Sequence, residues 1–508
     1  MGSGLGWIDY DRDGCPDMYL AQGAPWTGEL RPAEGPEDQL FRQRSGRFLN
    51  VTDHCGVVDR AYGMGVTVGD FNADGFPDLY VSNFGPNRLF INDGDGTFSD
   101  VSAVAGVGYG GYSASSTWFD ADSDGLLDLF VANYLQVDVS DYRICHEPAT
   151  TGAKLAIPCP PWTYPGDPDR FYRNLGDGRF ADETVDRGIA AVDAAHGLGV
   201  VVGDFDADGD VDLYVANDAD LNHLWMNDGE GQFEELGLLA GTAVNADGAR
   251  EAGMGVAAGD VTGDGLPELF VTNYFAETNT LYRNEGLGFF SDVSSPLGVG
   301  GPSRARLGFG TAFLDVDNDD DLDLFIANGH LHDRLSELGR EVPYQQPPQL
   351  LQFGDGRFED VSEIAGEPFR NEQLGRGVAV ADYDGDGLMD VAVSRLHSTV
   401  SLLKNVSSRP GHWLQVGLVG TSTHRDSIGA RVAVRTSTGR SVRFRDGSSS
   451  YLSTHDSMIH FGLADSESVD AIEVRWPRGQ KQEWRGLPCG ARVLLVEGLT
   501  EVFRLPDR

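Results

Sequence analysis

The pattern D-x-D-x-D-G-x-x-D limits what this chain can become more than any other feature of it. The fullest copy is Asp382-Tyr383-Asp384-Gly385-Asp386-Gly387-Leu388-Met389-Asp390. Seven stretches place oxygen-bearing side chains at positions one, three, five and nine. They are Asp9, Asp11, Asp13 and Asp17; Asp70, Asn72, Asp74 and Asp78; Asp120, Asp122, Asp124 and Asp128; Asp204, Asp206, Asp208 and Asp212; Asp260, Thr262, Asp264 and Glu268; Asp315, Asp317, Asp319 and Asp323; and Asp382, Asp384, Asp386 and Asp390. Carboxylates this close repel one another, and more strongly as the loop closes. A hard divalent cation removes that repulsion, and calcium accepts six to eight oxygens at about 2.3–2.6 Å in irregular geometry. The opening resembles an EF-hand loop, but the last carboxylate falls at position nine, not twelve, and the flanks read as strands. Asp and Gly also dominate ordinary turns. Seven copies with one spacing and apolar flanks favour metal, up to seven Ca2+. The fifth loop, with Thr262 and Glu268, and the sixth, with Asp320 where glycine is expected, are the weaker ones.

The loops recur at intervals of 50 to 84 residues, each inside the same unit. A Gly-rich apolar run precedes the loop, as in Gly63-Met64-Gly65-Val66-Thr67-Val68-Gly69, and a second apolar run follows it, as in Leu79-Tyr80-Val81-Ser82-Asn83. A short strand then ends in Asn92, and the hairpin Asp93-Gly94-Asp95-Gly96 leads into Thr97-Phe98-Ser99-Asp100-Val101. Asp-Gly between apolar runs signals a hairpin. Four-stranded units repeated seven times predict an all-β chain built around a seven-bladed β-propeller over residues 1–406. Glycines in the first run suit inner strands, where backbones approach closely. The seventh unit has no second hairpin after Leu402-Leu403-Lys404-Asn405, so its outer edge is expected to be open. The chain begins inside a repeat, so the N-terminus reads as truncated, and the strand that closes blade 7 would lie upstream of Met1.

Two insertions interrupt the units. Residues 135–169 hold Cys145, His146, Cys159 and Trp162, and residues 328–348 hold His330, His332 and Pro343. Long loops on a rigid scaffold often carry function. His330 and His332, two apart in an extended segment, would point to one side. From His412 the acidic loops stop. Trp413–Leu418, Arg431-Val432-Ala433-Val434-Arg435 and Ile472-Glu473-Val474-Arg475-Trp476 alternate as half-buried strands do, predicting a small β-sandwich or barrel over 411–508.

The formal net charge is -41, yet residues 411–508 carry 13 Lys/Arg against 11 Asp/Glu, so the acidity belongs to the repeats. That field disfavours nucleic acid or anionic membrane as partners. No apolar run is long enough to span a bilayer, and no signal peptide is present. Cys145 with Cys159 and Cys15 with Cys55 are the possible disulfides, leaving Cys489 over. Loops suited to calcium and possible disulfides favour an extracellular, periplasmic or cell-surface location.

The repeats resemble FG-GAP or VCBS-type repeats, the calcium-loop blades of integrin α-subunit propellers. The last segment resembles the ASPIC/UnbV domain through Ser427-Ile428-Gly429-Ala430-Arg431-Val432, Gly447 to Ser453, His460-Phe461-Gly462-Leu463 and Val474-Arg475-Trp476-Pro477-Arg478-Gly479. The combination is similar to the cartilage acidic protein family and its bacterial relatives. The resemblance implies a usually secreted propeller with a β-domain. It implies calcium in the loops, with a backbone carbonyl at position seven, such as Phe76 or Leu388, completing each shell. It supplies no catalytic set.

There is no Gly-x-Ser-x-Gly elbow, no His-Glu-x-x-His and no Walker loop. The expected function is therefore a non-catalytic calcium-binding extracellular protein, a binding or adhesion module for a protein or glycan. In a variant of that reading the C-terminal domain binds the partner and the propeller is a spacer. The alternative is an enzyme or accessory factor of natural-product (enediyne-like) biosynthesis, as the bacterial relatives suggest. Its site would lie at the propeller mouth and be built from His146, His196, His330 and His332.

Overall fold

The computed structural model describes residues 2–23, 36–138, 143–408 and 410–506. Residues 139–142 of the first insertion and the outermost ends of both expected domains, Met1 and 507–508, lie outside the described residues. Blade 2 shows the unit: Tyr62–Gly69, Asp78–Phe84, Arg88–Asn92 and Phe98–Asp100 pair antiparallel in chain order. Blades 1 to 6 each have four strands. Among the described residues blade 7 has three, Gly375–Ala381, Asp390–Arg395 and Ser401–Leu403, and its outer edge carries no fourth strand there, as expected. The innermost strands, from Leu5–Ile8 to Gly375–Ala381, each pack against the innermost strands of both neighbours, and the last meets the first. The first and last blades meet through apolar packing of Leu5, Trp7 and Met18 against Ala379 and Ala381, and among the described residues no strand passes between them. Close approach explains the inner glycines: a Cβ on Gly199 would lie 2.3 Å from the Met254 carbonyl oxygen.

Two four-stranded sheets form the C-terminal domain, so it is a sandwich and not a barrel. One sheet contains Trp413–Val419 paired in parallel with Ala491–Val496; the other contains Arg431–Arg435 and Ser468–Arg475. Leu414, Val432, Val434, Phe461, Ile472 and Trp484 fill the space between them. Glu497 ties the 420s loop to the end of this core. Its carboxylate accepts the backbone N–H groups of Thr421, Ser422 and Thr423 at 2.8, 2.8 and 3.0 Å, and the Ser422 hydroxyl at 2.6 Å. These donors outweigh burial and hold the carboxyl down from the usual 4.5 to about 2. A depressed carboxylate stabilises fully above its unfolded value and loses that contribution as pH falls towards its folded one. Glu497→Gln is expected to lose about 3 kcal/mol at neutral pH. In urea titrations the gap to the parent should narrow as pH drops below about 4.5; a gap independent of pH would rule out the charged clamp.

The sandwich does not stand apart from the propeller. The segment 448–456 leaves the sandwich and enters the propeller axis. Tyr451 and Leu452, 0% and 1% exposed, pack among Met64, Ala114, Leu198, Met254 and Phe309 of five different blades. Ser450 and Val256 exchange both backbone hydrogen bonds, Trp7 N–H donates to the Thr454 carbonyl at 3.1 Å, and Val66 N–H donates to the Leu452 carbonyl at 3.2 Å. Leu452 N–H donates to Ser115 Oγ, and Val380 N–H to His455 Nδ1. The plug thus satisfies inner-strand backbone groups that a hollow axis would leave to water. Ser450 and Leu452 hold φ values of 73° and 59°, positions that cost a non-glycine residue energy and are kept by this packing. A Cβ on Gly4 would lie 1.6 Å from the Leu452 carbonyl oxygen.

Candidate metal centres

Each acidic loop joins the two inner strands of its blade, so all seven open on the same end of the propeller. Position one organises the turn. Asp70 accepts the N–H of Asp74 at 3.0 Å and of Gly75 at 2.8 Å, and Asp120 and Asp315 do the same in their loops. Position nine begins the second strand and is buried in every loop; Asp17, Asp78, Glu268 and Asp390 are all 0% exposed. Two backbone donors hold it. Asp78 accepts the N–H of Asn92 at 2.8 Å and of Phe71 at 3.2 Å; Asp390 accepts those of Asn405 at 2.7 Å and Tyr383 at 3.3 Å. The turn needs left-handed backbone at position six, φ 98° at Gly75 and 84° at Gly387. Asp320 takes the same conformation at 86°, where glycine was expected.

In four loops the carboxylates at positions one, three and nine converge, with one oxygen from each within 4.8 Å of the others: Asp120, Asp122, Asp128; Asp204, Asp206, Asp212; Asp315, Asp317, Asp323; and Asp382, Asp384, Asp390. In the first loop the convergent set is Asp9, Asp11 and Asp13. The sixth loop therefore gathers its ligands despite Asp320, because aspartate tolerates the left-handed region better than most residues. The second loop offers the Asn72 amide at position three, whose Nδ2 donates to Asp74 at 2.8 Å. In the fifth loop Thr262 Oγ1 lies 3.5 Å from Glu268, so hydroxyl and longer acid replace two of the carboxylates. Position five, at Asp124, Asp208, Asp319 and Asp386, stands outside the convergent sets and uses one oxygen to accept the N–H two residues on.

The donor set fits a hard cation. Asp9, Asp11, Asp122, Asp204, Asp260, Asp317 and Asp384 each bury an Oδ1 that has no hydrogen-bond partner. Burial pushes Asp17, Glu268, Asp323 and Asp390 up to about 8, and Asp120 and Asp315 to about 7. Carboxylates so placed hold protons near neutrality unless a cation takes their place. Side chains of the chain itself offset part of the charge. Arg42 pairs with Asp11 and Asp13, Lys404 with Asp384 and Asp386, and Arg187 with Asp122 at 3.0 Å.

Sequence reasoning missed a second layer that comes from the sandwich. Arg425 lies 3.5 Å from Asp70, and Arg475 3.4 Å from Asp204. Arg492, Arg431 and Arg443 donate to the backbone carbonyls of Gly14, Gly265 and Asp320 at 3.3, 3.4 and 2.9 Å. Gln415 donates to Asp382 at 2.8 Å, and His460 lies 3.2 Å from the Gly387 carbonyl. From the sandwich, Arg478 faces the third loop, its charge offsetting part of the burial that raises the Asp120 carboxyl to about 7. The alternation of arginine with apolar residues in Arg431–Arg435 and Ser468–Arg475 was the available signal, but it shows a polar face, not its target.

At the other mouth the histidines do not form a centre. His146 is exposed on the hairpin Cys145–Pro148 and Lys154–Ile157. His196 is held between Asp220 Oδ2 at 2.6 Å and the Tyr164 carbonyl at 3.1 Å. His330 is buried, accepts the His332 N–H on Nδ1 at 3.0 Å and packs edge-on to Tyr274; the His330 and His332 rings are 5.7 Å apart. Among the described residues, groups of three His, Cys, Asp or Glu able to hold a metal occur only in the acidic loops. The two insertions meet through Arg340–Glu147 at 2.8 Å and Thr150 N–H to the Glu337 carbonyl at 2.8 Å. Cys145 and Cys159 form a disulfide. Cys15 and Cys55 are not joined by a disulfide; Cys55 is buried in the core shared by blades 1 and 2.

A propeller whose acidic turns line one end, capped there by a β-sandwich, defines a repeat protein with an integral C-terminal domain. The chain belongs to the FG-GAP-like repeat family, whose model matches residues 9–81, 70–131, 162–215, 204–271 and 260–326, and its residues 420–502 match the ASPIC and UnbV family. It is 28% identical over 321 residues to cartilage acidic protein 1 of Mus musculus, covering 62% of this chain and 46% of that protein. The chain thus spans about half the length of the curated relatives it matches. Integrin alpha-7 of Homo sapiens is 31% identical over 99 residues, 18% of this chain and 8% of that one. Among solved structures, the BP39L lectin of Burkholderia pseudomallei aligns at 11% identity and a TM-score of 0.46, over 80% of this chain and 99% of the lectin. That likeness bears no weight on function. No helix among the described residues is long and apolar enough to cross a membrane.

Proposed function

We propose that this chain is a calcium-binding interaction protein of the extracytoplasmic space, non-catalytic, with structural Ca2+ in its propeller loops. The observation that carries this is the array at one end of the propeller: convergent carboxylates with buried, unpartnered oxygens in loop after loop. Calcium bound there would be held by positions one, three, five and nine of each loop and would neutralise their mutual repulsion. The chain's own part is to fix those oxygens through backbone donors and to brace the loops with the sandwich arginines. The division at 406–411 then separates a metal-bearing propeller, 1–406, from a cap, 411–508, that is fixed to it and not a detachable head. The location rests on the Cys145–Cys159 disulfide and on the resemblance to cartilage acidic protein and integrin α chains. The partner class, protein or glycan, rests on that resemblance alone.

Metal analysis of protein purified without chelator, with melting curves in calcium and in EGTA, tests the reading. At least the five loops with convergent carboxylates should carry calcium. At ten times the dissociation constant each ion contributes about 1.4 kcal/mol, so five together approach the whole stability of a small domain. An unchanged melting temperature in excess EGTA, or a chain without calcium, would sink it.

A further inference from the structure

One position of the third strand in each blade lies beside that blade's acidic loop. The residue after it anchors position nine: the N–H groups of Gln43, Asn92, Asn227 and Asn405 donate to Asp17, Asp78, Asp212 and Asp390 at 2.7, 2.8, 2.9 and 2.7 Å. The position itself holds Arg42, Ile91, Met226 and Lys404 in those four blades. Ile91 and Met226 pack on apolar cores. Blades 3 and 5 carry Arg173 and Arg283 there, and a glutamate of the same blade holds each one: Arg173 Nε donates to Glu183 at 2.8 Å and Arg283 Nε to Glu285 at 2.9 Å. Blade 6 carries the neutral Gln352, whose Nε2 donates to Asp317 at 2.8 Å.

In blades 1 and 7 the cation turns on the loop instead. Arg42 Nη2 pairs with Asp11 and lies 3.2 Å from Asp13; Lys404 Nζ pairs with Asp384 and lies 3.1 Å from Asp386. In both loops a single nitrogen thus stands between the carboxylates of positions three and five. In loops 2 to 6, among the described residues, no arginine or lysine pairs with two of these carboxylates; Arg425, Arg187 and Arg475 each pair with one. Arg187 is also fixed elsewhere, by Glu183 at 2.7 Å and the Glu230 carbonyl at 2.6 Å, and its side chain is only 11% exposed. Those of Arg42 and Lys404 are 34% and 43% exposed, with room to swing out. The second oxygens of Asp11 and Asp384 remain buried without a hydrogen-bond partner, so the side-chain cation satisfies its loop only in part.

We propose that Arg42 and Lys404 set the calcium affinity of the first and seventh loops, each acting as a resident cation that must leave before the metal is held, so that these loops fill at higher calcium than loops 3, 4 and 6. Affinity in calcium loops follows the ligand charge, and each resident cation cancels one of four negative charges. The proposal rests on the reading of the acidic loops as calcium sites and divides them into two classes. The weaker pair flanks the seam between the first and last blades. Gln43, next to Arg42, joins the two loops across it, with its N–H on Asp17 and its Nε2 on the Tyr383 carbonyl at 2.8 Å.

Equilibrium dialysis of the full chain against buffered free calcium, with bound calcium counted by mass spectrometry, tests it. Arg42→Met should move one ion to roughly tenfold lower free calcium, and Lys404→Met a second. Arg42→Lys, which restores the charge, should return its ion to the higher range. Met226→Lys, which brings a cation to the fourth loop, should move one ion the other way by roughly the same factor. On the unmutated chain, hydrogen exchange should show residues 9–17 and 382–390 gaining protection at roughly tenfold higher free calcium than residues 204–212, a readout that no misfolded variant can obscure. Variants that bind calcium as the parent does, or loops 1 and 7 protected at the same free calcium as loop 4, would overturn the proposal and leave the calcium reading standing. A chain that binds no calcium would overturn both.

Discussion

Leu452→Asp is expected to unfold the propeller and the sandwich together. Leu452 belongs in sequence to the C-terminal domain, yet its side chain lies in the propeller axis at 1% exposure, among residues of blades 2 to 6. Truncating such a side chain to alanine costs about 2–5 kcal/mol. A buried, unpaired carboxylate adds several more, and together they match the whole stability of an ordinary domain. The backbone makes the coupling mutual. Leu5, Val66, Val256 and Val380 each bond the plug directly, so losing it opens inner-strand groups in four blades at once. Calorimetry should show one cooperative transition in the parent and a collapsed or absent one in the variant, with Leu452→Ala lying between. Two separable transitions, of which only the smaller responds, would mean that the plug is a passenger and the propeller stands alone.

Asp390→Asn should lower calcium content by one ion per chain and lower the melting temperature in calcium, but much less in EGTA. Asp390 completes the seventh cluster with Asp382 and Asp384. With a cation present its charge is needed, and asparagine removes it. Without a cation burial pushes its carboxyl up to about 8, so near neutrality the parent already carries a proton there and asparagine mimics that neutral form. What then remains is the Tyr383 N–H, which faces an amide instead of an acceptor, a loss of about 1–3 kcal/mol at most. A gap between variant and parent as large in EGTA as in calcium would mean that Asp390 matters only as a hydrogen-bond acceptor. Thr262→Asp is the converse change: it supplies the missing position-three carboxylate and should raise calcium content, or affinity, at the fifth loop.

The four-stranded blade, the hairpins and the open edge of blade 7 were legible in the chain because each depends on neighbours within a few residues. Asp-Gly turns, Phe98 beyond its hairpin and the absence of one after Asn405 are local statements. The loop spacing was legible for the same reason, since nine residues suffice to fold Asp382 back to Asp390. Loop six was read as weak from Asp320 alone; the folded loop shows that a left-handed aspartate is accommodated and the three carboxylates still meet. Pairing Cys15 with Cys55 failed because proximity in sequence is not proximity of side chains: Cys55 is turned into the core.

Sequence alone, then, determined the repeat, the acidic turns and the strand count, each enforced by short-range backbone geometry and charge. Tertiary structure alone decided that the sandwich is part of the propeller. Gly447 to Ser453 could be recognised as a motif, but its place in the axis depends on contacts from Gly4 to Val380 that no local pattern encodes. The arginines 425, 431, 443, 475, 478 and 492 likewise read as the polar face of ordinary strands. Only docking, which brings them within reach of loop carboxylates and backbone carbonyls 123 to 478 residues earlier in the chain, gives them a partner, because charges act through space and not along the sequence.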